Sequence, residues 1–105
     1  MNIWKYEIPI KDNFTLEIPK DSKILSFQVQ DDSPKIWALV EEELEKETRE
    51  FKLLGTGLSF KKEELNDYKF VGTIVMYNGS FVLHLFIKET LHDVIAKTIS
   101  SQFLG

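Results

Sequence analysis

Apolar and polar positions alternate with period two from Trp4 to Lys88, and the period then lengthens to about 3.6. The clearest local signal in the alternating part is Asn78-Gly79. Both central residues of a type I′ turn need positive φ, which this dipeptide supplies readily. Pairing outward from it sets Met76 against Phe81, Ile74 against Leu83, Gly72 against Leu85 and Phe70 against Ile87. The opposite face then pairs Val75 with Val82, Thr73 with His84 and Val71 with Phe86. A slip of one residue would mix the two faces, so turn and pattern agree on the register.

Two further hairpins are expected upstream. Trp4, Tyr6, Ile8 and Ile10 alternate with polar residues, as do Phe14, Leu16 and Ile18. A loop at Lys11-Asp12-Asn13 pairs Ile10 with Phe14, Ile8 with Leu16 and Tyr6 with Ile18, with Asn13 tolerating the left-handed conformation such loops use. The next turn falls at Asp31-Asp32-Ser33-Pro34 and sets Val29 against Ile36, Phe27 against Ala38 and Leu25 against Val40. Its other face carries Ser26, Gln28, Trp37 and Leu39. A strand over about residues 48–54 is expected to return from Val40, with Glu42 opposite Arg49 and Val40 opposite Phe51.

Residues 55–66 read as a connection, with Gly55-Thr56-Gly57 ending the strand and a helical turn over Lys61–Asn66. Beyond Lys88, Leu91, Val94, Ile95, Ile99 and Phe103 share one stripe, and Thr90 with Asp93 forms a capping box, so a helix is expected over about 91–103. The sum is one domain over residues 1–105, with a β core at 1–88 and a C-terminal helix at 89–105. The fold class is mainly β: an antiparallel, hairpin-built β-sandwich or small barrel of about seven strands with one C-terminal α-helix.

Composition narrows the chemistry. There is no cysteine, which removes disulfides, thiolate metal sites and thiol catalysis. Net charge is −4, and the basic doublet Lys61-Lys62 runs straight into Glu63-Glu64, so no basic stripe for nucleic acid is present. The opening Met1-Asn2-Ile3-Trp4-Lys5-Tyr6-Glu7 is interrupted by charge and does not read as a signal peptide, and no run has the length of a membrane span. A cytoplasmic protein, without membrane or direct nucleic-acid partners, is the expectation.

Candidate catalytic groups are sparse. His84 is placed mid-strand and His92 in the first helical turn, without the three or four converging ligands that a metal requires. Ser59 follows Gly57-Leu58, but no histidine stands near it in sequence to act as base. Gly55-Thr56-Gly57 lacks the Lys-Ser/Thr of a phosphate loop and reads as a strand end or bulge. No catalytic, cofactor-binding or metal-ligating residue is therefore assigned, no cofactor is expected, and the chain reads as a non-enzyme. Trp4 and Trp37 fit strand faces that belong to the core.

Two surfaces are candidates for partners. The acidic run Glu41-Glu42-Glu43-Leu44-Glu45-Lys46-Glu47 could enter a basic groove, with Glu41, Glu42, Glu43, Glu45 and Glu47 as the contacting residues; its plainer reading is a solvated hairpin tip. The helix stripe Leu91, Val94, Ile95, Ile99 and Phe103 must cover something apolar. That is either the Val71, Val75, Val82 and Phe86 face of the last hairpin or the same helix in a second copy, giving a homodimer.

Ile3-Trp4-Lys5-Tyr6-Glu7-Ile8-Pro9, Ile24-Leu25-Ser26-Phe27-Gln28-Val29-Gln30, Ile36-Trp37-Ala38-Leu39-Val40, Gly55-Thr56-Gly57 and Tyr68-Lys69-Phe70-Val71-Gly72-Thr73 are in the order and spacing of one family. The chain resembles, over about residues 3–87, a family of small phage and prophage proteins catalogued as a domain of unknown function. Members of that family often carry histidine after Gly-Thr-Gly; here Leu58 stands there, which puts in doubt any site built on that position. The helix after Ile87 looks like an addition to the common core. The resemblance implies a phage or mobile-element setting, hence the host cytoplasm, and brings no catalytic residues. The function expected is a protein-binding module acting on a host or phage partner, for instance by occluding a defence enzyme. The alternatives are a small-ligand, nucleotide-like binding or sequestering protein, which the single arginine Arg49 disfavours, and a minor structural phage component.

Overall fold

The computed structural model describes the backbone of residues 1–104 and the side chains of residues 1–98. Among the described residues seven strands form two antiparallel sheets that stack as a sandwich. The strands are β1 (Asn2–Glu7), β2 (Asn13–Pro19), β3 (Lys23–Gln30), β4 (Ser33–Val40), β5 (Lys46–Gly55), β6 (Tyr68–Met76) and β7 (Phe81–Lys88), followed by helix α1 (Leu91–Leu104). One sheet has the order β1-β4-β3 and the other β2-β5-β7-β6. No barrel closes; of the two architectures expected, the sandwich is the one that forms.

The N-terminal hairpin does not form. β1 pairs with β4, setting Tyr6 against Ile36, while β2 pairs with β5, setting Phe14 against Phe51. Pro9 has no N–H to continue a ladder, and the chain changes sheets around it. The Ile8 N–H donates to Pro34 O on one sheet, and Asp12 O accepts from the Leu53 N–H on the other. The expected pairs Ile10–Phe14, Ile8–Leu16 and Tyr6–Ile18 therefore do not form, because the two strands lie in different sheets. Likewise β4 and β5 lie in different sheets, so Val40 does not oppose Phe51, nor Glu42 Arg49; Arg49 is paired with Leu16. Alternation determines which side of a strand meets the core, not which strand lies beside it.

The β3–β4 hairpin forms two residues out of the expected register. Asp31 and Asp32 both take positive φ (55° and 58°) and make a two-residue turn, so Phe27 meets Ile36 and Val29 meets Pro34. Pro34 belongs to the strand and not to the loop, and it is buried. Because the slip is of even length, Phe27, Ile36, Ala38 and Val40 still reach the core. Leu25 does not, since a bulge between Ile24 and Ser26 leaves it opposite no partner and exposed.

The β6–β7 hairpin has the expected register from Met76–Phe81 down to Gly72–Leu85. Asn78 (φ 55°, ψ 35°) and Gly79 (φ 92°) have the positive φ that the turn demands, and Tyr77 shares it (φ 52°). Below Gly72 a bulge at Val71 shifts the ladder by one, so that Phe70 faces Phe86 and Lys69 faces Ile87. Between the sheets lie Ile8, Phe27, Ile36, Phe51, Leu53, Ile74, Met76, Leu83, Leu85 and Ile87. Phe14 stacks on Phe51 with ring centroids 5.0 Å apart and planes 3° from parallel. Each such buried side chain contributes roughly 1.5–3 kcal/mol.

Helix α1 begins as its capping box requires: the Asp93 N–H donates to Thr90 Oγ1, and the Thr90 N–H donates to Asp93 Oδ2. Its described side chains leave Val75 of the last hairpin uncovered. Val75 remains 58 % exposed and Leu91 75 % exposed, and Val94 and Ile95 are also exposed. In its first turn Asp93 Oδ2 stands 3.7 Å from Arg49 Nη2. The side chains of Ile99 and Phe103 lie outside the described residues.

Candidate functional site

The outward face of the four-stranded sheet is where sequence and geometry converge. On β7 the inward residues are Leu83, Leu85 and Ile87, and the outward ones are Val82, His84 and Phe86. Their outward neighbours follow from the ladders: Val75 beside Val82, Thr73 and Leu54 flanking His84, and Lys52 and Phe70 flanking Phe86. Phe70 meets Phe86 edge-on at 5.5 Å and 63°. The bulge at Val71 is what turns Phe70, itself 58 % exposed, onto this face.

At the centre of that apolar surface stands a hydrogen-bonded hub. Thr56 Oγ1 lies 2.7 Å from His84 Nε2, and Thr73 Oγ1 lies 2.8 Å from His84 Nδ1. Both ring nitrogens are thus engaged and the ring is held in one orientation. Thr73 is a cross-strand neighbour of His84, as the hairpin register predicts. Thr56 arrives from the end of β5, where its N–H donates to Val82 O. The Gly55-Thr56-Gly57 motif thereby acquires a place: it ends β5 so that the threonine hydroxyl meets the histidine. Sequence reasoning missed this contact because it set β5 against β4, whereas β5 lies beside β7 and puts Leu54 opposite His84. The hub has hydroxyls on both sides of the imidazole, and no carboxylate is among the hydrogen-bond partners of His84 in the described residues. The arrangement presents a fixed polar group inside an apolar surround.

The outward face of the other sheet differs. Trp37 lies on it, half-buried between Lys5 and Ser26, while Trp4 points inward opposite Ala38. Around Trp37 the face is crossed by polar contacts: Lys5 to Gln30, Lys35 to Glu7 and Ser33 to Glu7. The Lys35 and Ser33 hydrogen bonds and the lysine charge hold the Glu7 carboxyl below the usual glutamate range.

The acidic segment is partly ion-paired. Glu41 is 3.8 Å from the N-terminal ammonium, Glu45 is 3.5 Å from Lys20 Nζ, and Glu47 is 3.9 Å from Arg49 Nη1. Only Glu42 and Glu43 of the five are without an ion-pair partner among the described residues. His92 lies in the first turn of α1 and is not among the hydrogen-bond partners of the His84 hub in the described residues. Among the described residues no three histidine or carboxylate side chains group as a metal site would need.

The model of a domain of unknown function, DUF7352, matches residues 1–95. The chain belongs to the DUF7352 family. The DUF7352 match spans both sheets and the whole Thr56–His84–Thr73 hub, and it continues into the first turn of α1, past the resemblance read over residues 3–87. No curated protein and no solved structure matches the chain. No helix among the described residues is long and apolar enough to cross a membrane.

Proposed function

We propose that this DUF7352 protein is a non-catalytic protein-binding module, and that the partner docks on the outward face of β6 and β7. The observation that carries the reading is the uncovered apolar surface formed by Val75, Val82, Phe70 and Phe86 around the Thr56–His84–Thr73 hub. Solvent-facing apolar residues standing singly are ordinary; cross-strand pairs of them around a fixed polar group suit a partner surface with an apolar centre and one hydrogen-bonding group. The setting comes from the resemblance to phage and prophage proteins. In it the partner is a host or phage protein, and occlusion of a host defence enzyme in the cytoplasm is one such role.

The test is affinity capture of the full chain from host cells in three forms: wild type, Phe70→Lys with Val75→Lys, and Glu42→Lys with Glu43→Lys. The reading expects one partner, retained by the glutamate variant and lost by the Phe70/Val75 variant. Loss only in the glutamate variant places the partner on the acidic turn instead and overturns it.

A further inference from the structure

Among the described residues four strands lie at sheet edges: β1 and β3 in the three-stranded sheet, β2 and β6 in the four-stranded one. An open edge exposes unpaired backbone N–H and C=O groups that can take up another strand, and proteins guard it with bulges, prolines, charges or cover. β3 and β6 are both guarded. Each carries a bulge, at Leu25 and at Val71, and the two strands meet where Gly72 rests against Phe27, with an added Cβ 3.6 Å from Phe27 Cβ. Among the described residues β1 shows none of these devices. Its ladder to β4 runs from Asn2–Val40 to Glu7–Lys35 without a break, and it contains no proline. Its two charged side chains are drawn back over the sheet, away from the edge. The Lys5 ammonium donates to Gln30 Oε1 of β3 at 2.7 Å, while Glu7 lies 3.3 Å from Lys35 Nζ of β4 and accepts from the Ser33 hydroxyl.

One hydrogen bond fixes which backbone groups of β1 are free. The Ile8 N–H donates to Pro34 O, and Ile8 stands opposite Pro34 when the β1–β4 register is continued past Glu7–Lys35. In an antiparallel strand the N–H and C=O of alternate residues point to the same side. Asn2, Trp4 and Tyr6 therefore turn theirs toward β4, and Ile3, Lys5 and Glu7 turn theirs away from it, off the edge. The side chains alternate too: Trp4 and Tyr6 are half-buried, and Ile3, Lys5 and Glu7 are exposed. The sandwich is also one strand short on this flank. Counted from the contact of β3 with β6, three strands stack on four, and β2 is the one without a counterpart. Its inward side chains Phe14 and Leu16 are only half-buried. A strand laid beside β1 brings its inward residues over them, whereas a strand laid beside β2 has no sheet opposite. A second copy joined edge to edge at β1 would drive its own four-stranded sheet into β2. One extended segment takes the place of one strand only.

We infer that the β1 edge takes up an extended protein segment by strand addition. The segment's backbone pairs with Ile3, Lys5 and Glu7, and apolar residues at its alternate positions lie over Phe14 and Leu16. In this mode the main-chain ladder supplies affinity and the alternate side chains supply selectivity. The site is on the other sheet from the outward face of β6 and β7, so it stands or falls independently of the proposed partner surface.

The test is residue-resolved amide hydrogen exchange of the full chain with a millimolar peptide of alternating valine and threonine that carries a lysine at each end. The Ile3, Lys5 and Glu7 amides exchange freely in the chain alone and slow by roughly tenfold or more with the peptide. The same peptide with every amide N-methylated has no donors for a ladder and gives no protection. Lys5→Pro removes one outward N–H and leaves the ladder to β4 intact, since an edge tolerates proline where its N–H is free. It weakens binding by roughly tenfold, while Lys5→Ala, which keeps the N–H, binds as the wild type does. The N-methyl comparison needs no variant and decides the matter even where Lys5→Pro disturbs the fold. Unprotected Ile3, Lys5 and Glu7 amides, equal protection by the N-methylated peptide, or equal binding by Lys5→Pro and Lys5→Ala in folded protein overturns the proposal. So does protection of these amides in the chain alone together with a dimer mass, which assigns the edge to a second copy.

Discussion

Phe70 faces Phe86 across the β6–β7 ladder, not Ile87, because Val71 is bulged out between Phe70 and Gly72. That single extra residue has two consequences. It moves an aromatic ring from the core side to the outward face, and it sets Lys69 opposite the inward-facing Ile87.

The first prediction separates surface from core on the same sheet. Phe70→Ser and Val75→Ser change unfolding free energy by about 1 kcal/mol or less, since both side chains are largely in water. Leu85→Ala and Phe51→Ala, at fully buried positions, cost about 2–5 kcal/mol. Urea denaturation of the four variants checks the ordering; a large loss at Val75 would mean that something in the chain covers it.

The β3–β4 turn gives a second prediction. Positive φ at both Asp31 and Asp32 is the conformation that an Asn-Gly dipeptide adopts with less strain. The double substitution Asp31→Asn with Asp32→Gly raises stability by about 0.5–1 kcal/mol, read from the denaturation midpoint. Had the turn been the four-residue loop through Pro34, the exchange would bring no such gain.

Acid should loosen the start of α1. Burial pushes the Asp93 carboxyl up, but the Thr90 backbone and hydroxyl bonds and the charges of Lys69 and Arg49 outweigh it, so its pKa is below the ordinary aspartate value of 3.8. A carboxyl depressed in the folded state contributes stability that is present above that ordinary value and lost as the pH falls through the folded one. Thermal unfolding below about pH 4 therefore shows a declining helix contribution in the wild type and a smaller decline in Asp93→Ala.

Much of this was legible in the chain. The positions of the strands, the inward face of nearly every one, the Asn78-Gly79 register and the Thr90–Asp93 cap follow from period, turn chemistry and capping. Partnership between strands was not legible where the connection is long enough to change sheets. Tyr6 and Ile18 show their apolar sides identically whether they are neighbours in one sheet or lie in two different sheets. Pro34 misled in a specific way: a proline near an Asp-Asp pair reads as loop, yet the two aspartates close the turn alone. The bulges at Leu25 and Val71 carry no composition signal, and the second of them sets the outward aromatic pair. For the site, Thr73–His84 came from hairpin arithmetic, while Thr56 required knowing that β5 lies beside β7.

The most direct measurement of the central claim is hydroxyl-radical footprinting of the full chain, free and in its captured complex. Phe70 and Phe86 become protected on binding, and Phe60, exposed on the connection between β5 and β6, keeps its reactivity. Protection at Trp37 or Phe60 with Phe70 and Phe86 unchanged would contradict a partner surface on β6 and β7.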